Sequence, residues 1–374
     1  MYDVAVVGLG AMGGMTVLEL ARRGRRVIGF DRFHPPHPFG SSHGKSRIIR
    51  EAYFEHPQYV PLVQRAYEKW AALERESGRR LLIPTGGLMI GRPEGAVVSG
   101  ARLSAQTHGL PFAVFDAEET RRRWPMFSLR PGEVALFERR AGVLLPELAL
   151  ETALALAGEA GAELRFGEPV VEWEAGVGIR VRTARGDHHA SRLVLAAGAW
   201  MATELPRLEL PLSVARQLLF WLDAGGDVGP DRLPIFIWEW EPGRAFYGFP
   251  DLGDGVKVAI HHEGRATAAE TVSREVRPGE EDELLSALES CAPSLSGKVR
   301  SAAVCLYTNT PDEAFILDAH PADPRVLMVS PCSGHGFKFA PALGEIAADL
   351  AEAKQPRFDL APFRLSRFVG AAGP

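Results

Sequence analysis

Apolar and polar positions at the start of the chain form one strand–helix–strand unit. Val4 to Val7 is an unbroken apolar run of the kind a strand buried on both faces requires, and a glycine turn follows it. Ala11, Met15, Leu18 and Ala21 then share one helical face, the pattern stops at Gly24 after Arg22 and Arg23, and Val27 to Phe30 resumes a strand. Phe33 to Gly44, rich in Pro, Gly, His and Ser, predicts a loop. Tyr59 to Arg75 has helical spacing, and Ile83 to Gly91 contains the strand-like Gly87-Leu88-Met89-Ile90. Between Leu144 and Gly161 the positions Leu148, Leu150, Ala153, Leu154 and Leu156 predict a helix. Glu163 to Phe166, Val170 to Trp173 and Ile179 to Thr183 follow as short strands, and Leu193 to Leu195 leads into Ala196-Ala197-Gly198. Frequent aromatic and β-branched residues from Arg216 to His262 predict an antiparallel sheet, after which the pattern returns to strand, turn and helix.

At 374 residues the chain exceeds what one core holds, so two domains are expected, in an α/β fold that joins a Rossmann-like unit to a mainly antiparallel sheet. The composition, 46% hydrophobic and 24% charged, is that of an ordinary globular protein. A net charge of -5 offers no basic face for nucleic acid, and Arg121-Arg122-Arg123 reads as a solvated helix end before Trp124-Pro125. Cys291, Cys305 and Cys332 make no even disulfide set and lack zinc-ligand spacing, so no metal and a reducing compartment are expected. Met1-Tyr2-Asp3 runs straight into a strand without a charged leader, and no apolar run reaches the roughly 18 residues that span a bilayer. The expected location is the cytoplasm, with no membrane partner.

Gly8-x-Gly10-x-x-Gly13 lies between a strand and a helix, and Asp31 closes the second strand, which is the dinucleotide fingerprint in its required setting. Gly8 makes the tight turn, Gly10 admits a pyrophosphate, Gly13 lets helix meet strand, and Asp31 accepts a bond from a ribose hydroxyl. The motif does not separate NAD from FAD. Two later segments favour flavin. Ala196-Ala197-Gly198-Ala199-Trp200 follows a buried strand with tiny residues that suit close approach to a bulky ring, although plain core packing gives the same composition. Ser333-Gly334-His335-Gly336-Phe337-Lys338-Phe339 precedes a helix carrying Leu343, Ile346 and Leu350, where Lys338 beside the helix start suits the anion of a reduced flavin. Gly198, Gly334 and Gly336 are therefore read as cofactor-binding.

These segments, together with Gly40-Ser41-Ser42-His43-Gly44-Lys45-Ser46-Arg47-Ile48-Ile49-Arg50, Tyr247-Gly248-Phe249-Pro250, Val256-Lys257 with His261, and Val304-Cys305-Leu306-Tyr307-Thr308, resemble the monomeric sarcosine oxidase and N-methyltryptophan oxidase family, within the D-amino acid oxidase-like superfamily. The match is colinear over almost the whole chain. It implies an FAD-binding domain built from residues 1–80, 145–212 and 312–374, and a substrate domain from 81–144 and 213–311. It further implies FAD attached covalently through a cysteine at the position of Cys305, oxygen activation at Lys257, and a substrate carboxylate held by Arg50 and Lys338. His43, Arg47, Tyr247, His261 and Tyr307 match positions that line the family's active site.

The residues by themselves leave choices open. Arg47 and Arg50, three apart, would share one face of a helical turn as paired cations or as a surface pair. Lys257 lies between Val256 and Val258, so its amine points to a solvated face or into an interior cleft. Cys332 is a second thiol near the ring, and Trp238 and Trp240 share a strand face as core or as a bulky wall. The expected activity is oxidation of a secondary amino acid's C–N bond, with dioxygen reduced to hydrogen peroxide. A flavin dehydrogenase using another acceptor, or a non-catalytic FAD-binding electron-transfer subunit, is the alternative.

Overall fold

The computed structural model describes residues 1–204, 210–331 and 333–368. Strands β1 (Tyr2–Val7) and β2 (Val27–Asp31) flank helix α1 (Ala11–Arg22) and pair in parallel, Val4 opposite Val27 and Val7 opposite Phe30. They belong to an eight-stranded sheet in which Glu163–Phe166 joins β2, and Gly186–Leu195 joins β1 and Asp323–Ser330, all in parallel. The unbroken apolar run of β1 has a direct cause. Val4 and Val6 enter a core with Met15, Leu150 and Leu343 on one face, while Ala5 and Val7 enter a second core with Ile179, Leu193 and Met328 on the other. Helix α1 ends where Gly24 takes a φ of 74°, a left-handed conformation that costs glycine nothing.

A nine-stranded sheet carries most of the other strands. Ser213–Asp223 pairs with Val256–His261 and Lys298–Asn309, and Val256–His261 pairs with Arg244–Phe249, all antiparallel. The antiparallel expectation for 216–262 has one exception, since Ile235–Glu241 meets Gly87–Gly91 in parallel. Phe236, Trp238, Phe246, Val256 and Val258 pack with Leu284 and Leu288 of helix Asp282–Cys291. Trp240 joins the same cluster, so the two tryptophans are core and not a substrate wall. Strand alternation turns Ile237, Tyr247 and Lys257 to the opposite face, where a cleft lies.

One local expectation is corrected. Arg47 and Arg50 share no helical turn, because Arg47–Ile49 is a strand in a small sheet with Gly142–Leu144 and Leu82–Pro84, and Arg50 follows it. The stiff β-branched Ile48 and Ile49 favour that extended state, and Gly142–Leu144 supplies the pairing. Among the described residues no helix is long and apolar enough to cross a membrane. None of those residues forms a group of three or more His, Cys, Asp or Glu placed to hold a metal ion.

The first turn is the tightest packing point. A Cβ on Gly13 would stand 1.7 Å from the Gly8 carbonyl oxygen, backbone that has no room to yield. Gly13→Ala should therefore lower stability by about 3 kcal/mol, the upper range for overpacking, with a matching drop in melting temperature. An unchanged melt would show that helix and strand can separate here without cost.

Candidate active site

The first cleft runs along the carboxyl ends of the parallel strands, where open α/β sheets hold their ligands, and encloses about 1220 Å³ including its mouth. Gly8, Gly10, Asp31, Gly198, Gly334 and Gly336 all line it. Gly8 has a φ of 89° and sits so close to the next strand that a Cβ would fall 2.5 Å from the Ala196 oxygen. Gly10 differs, because a Cβ there meets only the Ser42 hydroxyl at 3.4 Å; its openness leaves backbone free to face a ligand. Helix α1 begins just after Gly10 with no acidic residue in its first turn; the Ala11 amide donates to the Ser42 hydroxyl at 3.1 Å, and the helix dipole keeps this end favourable to an anion. Asp31 accepts from the Leu9 and Phe33 amides at 2.8 and 2.9 Å, which fixes one carboxylate at the cleft wall. These features fit the pyrophosphate and ribose of a dinucleotide such as FAD.

A second cleft of about 670 Å³ opens beside the first. Arg47, Cys305, Tyr307, Gly334, His335 and Phe337 line both, so the two spaces meet at the Cys305 sulfur. The second cleft gathers cations. Arg50 is 1% exposed and pairs with Glu55 at 2.6 Å, its Nη1 donates to the Ala52 carbonyl at 3.0 Å, and its Nε has no hydrogen-bond partner. Lys338 donates to the His335 carbonyl at 2.8 Å and to the Tyr53 hydroxyl at 3.4 Å. Lys257, 2% exposed, donates to the Gly44 and Ser46 carbonyls at 2.7 and 2.9 Å. Of the two placements open to Lys257, the interior cleft is the one adopted.

Burial governs the protonation states. It pushes the Lys338 amine down to about 7, with Arg50 adding to the effect and Glu55 opposing it. Burial, then Arg47, pushes Lys257 well below the usual lysine range. Burial, then His262, does the same to His261, which is therefore neutral. His335 falls to about 4. Its Nε2 faces the Glu313 carbonyl at 2.9 Å, an obligate acceptor, so Nε2 carries the proton and Nδ1 accepts from the Tyr53 hydroxyl at 2.6 Å. Glu55 is held below the usual carboxylate range despite burial, chiefly because Arg50 pairs with it.

Most residues singled out in the sequence converge here. Lys257, His261, Arg47, Tyr247, Tyr307, Arg50, Lys338 and Cys305 line the second cleft. His261 Nδ1 and the Tyr247 hydroxyl lie 3.4 and 3.5 Å from the Tyr307 hydroxyl, and an Arg47 Nη2 lies 3.7 Å from the Cys305 sulfur. Gly13 stays behind the cleft in its packing position, and His43 lines neither cleft. The His43 ring is buried with Nε2 lacking a partner, and burial beside Arg47 lowers it to about 3. Cys332 lies outside the described residues. Tyr53 and His335 escaped the sequence reading as site residues, although His335 stands inside the glycine-rich segment that pointed to the cleft.

A family model for FAD dependent oxidoreductases matches residues 3–350. The chain is 44% identical to the monomeric sarcosine oxidase of Streptomyces avermitilis over 94% of its own length and 93% of that protein. It is 38% identical to the N-methyl-L-tryptophan oxidase of Salmonella typhimurium, covering 98% of this chain and 99% of the other. Among solved structures, NikD, an unusual amino acid oxidase essential for nikkomycin biosynthesis, superposes with a TM-score of 0.85 at 26% identity, covering 97% of each chain. The L-proline dehydrogenase of P. horikoshii shares the fold with a TM-score of 0.86 at 20% identity, covering 99% of this chain and 98% of that one.

An anion in the second cleft should sense Lys338. Acetate, which has no amine to titrate, should bind less tightly as pH rises through about 7, because the Lys338 ammonium loses its proton there. Lys338→Met should bind acetate weakly with a flat profile, read by calorimetric titration. A wild-type affinity constant from about pH 6 to 9 would remove Lys338 from the anion site.

Proposed function

Because this chain belongs to the FAD-dependent oxidoreductase family, we propose that it oxidises the C–N bond of a small secondary amino acid, N-methyl or cyclic, to the imine and reduces dioxygen to hydrogen peroxide. The observation that carries this reading is the junction: a cleft rich in buried cations, built for an anion, opens into a dinucleotide cleft at Cys305, Arg47 and Tyr307. FAD bound in the first cleft supplies the two-electron acceptor. Its pyrophosphate belongs at the start of α1, beside Gly10, and its ribose at Asp31. On this reading residues 1–80, 145–212 and 312–374 form the FAD domain, 81–144 and 213–311 form the substrate domain, and the protein works in the cytoplasm.

In the second cleft Arg50 and Lys338 take the substrate carboxylate. The planar fork of Arg50 suits a carboxylate, and Lys338, like Arg50 set against the Tyr53 ring, adds a point charge. Neutral His261 and the un-ionised Tyr247 and Tyr307, whose hydroxyls burial holds protonated, form walls that carry no like charge against the substrate amine. Phe54, Ile237 and Phe249 close the rest with apolar surface that excludes water. Lys257 is the oxygen-activating group. Two carbonyls hold its amine in place, and the cation strengthens as negative charge grows beside it. Cys305 is the thiol for covalent attachment, its sulfur 3.7 Å from an Arg47 Nη2 where the two clefts meet.

Yellow protein screened against N-methyl and cyclic amino acids should consume oxygen and release hydrogen peroxide with at least one of them. Flavin bleaching without oxygen uptake would instead mark a dehydrogenase, and no bleaching with any substrate would mark an electron-transfer subunit. Acid precipitation should leave the colour with the protein and free it in Cys305→Ser; release by Cys332→Ser alone would move the attachment to Cys332.

Lys257→Met should separate the half-reactions. Reoxidation by oxygen should slow by about a hundredfold or more while anaerobic flavin reduction changes much less, because the cation acts on charge absent from the ground state. Equal losses in both, measured by stopped flow, would assign Lys257 a structural role.

A further inference from the structure

Glu138 lies outside both clefts, at the end of the strand Val134–Glu138, and is 2% exposed. One carboxylate oxygen accepts from the Glu51 amide and the other from the Ala52 amide, each at 2.7 Å. These are the two peptide groups that follow Arg50. We propose that Glu138 is a positioning residue for Arg50, holding the turn on which the guanidinium is seated and so setting the enzyme's preference for substrates with a carboxylate. The proposal rests on Arg50 being the partner of that carboxylate.

The seat is built almost wholly from the segment Glu138 anchors. The Arg50 guanidinium donates to the Ala52 carbonyl at 3.0 Å, lies over the Tyr53 and Phe54 rings at 4.3 Å from each, and pairs with Glu55. Glu51 and Ala52 are themselves 2% and 1% exposed, so neither amide can turn to water if its acceptor is removed. Two adjacent buried donors call for one group with two acceptors and no donor. A carboxylate meets that demand: burial pushes Glu138 up to about 7, and the two amides it accepts from favour its ionised form against that push. A carboxamide of the same shape offers one acceptor and sets its NH2 against the second amide, and aspartate reaches one methylene less far. The clamp ties Arg50 to the strand of the large sheet that pairs with Gly87–Gly91, and two strands separate it from the one carrying Tyr247. It therefore references the substrate's charged end to the same sheet that supplies the cleft wall.

The test compares, in the holoenzyme, the fastest N-methyl amino acid substrate with its decarboxylated amine. Glu138→Gln should raise KM for the acid about tenfold, change kcat and flavin content less than about twofold, and leave kcat/KM for the amine unaltered. Glu138→Asp should fall between, restoring part of the acid's advantage. A structural role alone would lower both substrates together, and that result, or no change for either, overturns the proposal. Arg50→Lys separates the premise: if it keeps the wild-type preference for acid over amine, Arg50 is not the carboxylate's partner and both readings fall. If Arg50→Lys loses the preference while Glu138→Gln keeps it, only the role of Glu138 fails. Should Glu138→Gln not fold, Glu138→Asp carries the comparison, and hydrogen exchange in the wild type reads the contact directly. Glu51 and Ala52 amides exchanging as fast as open loop would overturn it.

Discussion

Burying several positive charges around one small cleft is the constraint on which the rest of this architecture depends. Arg50, Lys257 and Lys338 are 1%, 2% and 5% exposed, and among the described residues lining that cleft Glu55 is the lone carboxylate. Desolvating each ion costs about several kcal/mol, which a single counter-ion cannot repay three times over. The deficit is met by backbone carbonyls. Lys257 is caged by Gly44 and Ser46, Lys338 is held by His335, and Arg50 by Ala52. Carbonyl dipoles solvate a cation without neutralising it, so the cleft stays positive and still able to take an anion.

A carbonyl turns fully toward a buried ammonium most readily where the backbone leaves its ladder. That preference explains the irregular segments around the cleft. Gly44 and Lys45 have φ values of 98° and 64°, and Ser333 and Gly334 have 49° and 75°, conformations that helix and strand do not use. Chain bent in this way leaves amides that must be satisfied in turn. Carboxylates from regular elements do it: Glu147 from helix Pro146–Glu159 accepts from the Gly44 and Lys45 amides, as Glu138 does from Glu51 and Ala52 and Asp31 from Leu9 and Phe33. The same device thus fixes the cofactor turn and both loops that hold the cations.

Sequence pattern made one layer of this legible and hid the next. Gly8, Gly10, Gly13 and Asp31 stood out because their spacing lies within one strand–helix–strand unit, and the double-sided burial of β1 shows in its unbroken apolar run. Lys257 stood out as a charge between valines, and alternation carried its direction. Which side was the cleft became clear only once helix Asp282–Cys291 was seen to cover the other. Arg47 and Arg50 were placed on a helical turn because a spacing of three suits one. The pairing partner that makes them extended, Gly142–Leu144, lies far along the chain. Glu147 and Glu138 were invisible for the same reason. Each acts across about ninety to a hundred residues on backbone groups, which carry no sequence signature of their own.

A positive cleft solvated by dipoles also couples binding to protonation. Lys338 is held to about 7 and Lys257 well below its usual range because burial, reinforced by Arg50 for the one and Arg47 for the other, leaves them short of a compensating anion. A carboxylate entering beside them supplies that anion, and an opposite charge within a few ångströms raises both values. Near and above neutral pH, anion binding therefore draws protons onto the lysines, and by linkage those protons strengthen the binding. The site acquires its full charge when the substrate arrives. Arg50 contributes differently, because its planar fork holds a carboxylate only when it is correctly oriented. Its seat therefore depends on the Glu138 anchor for direction, whereas Glu147 anchors a carbonyl cage around Lys257 whose charge follows the ligand.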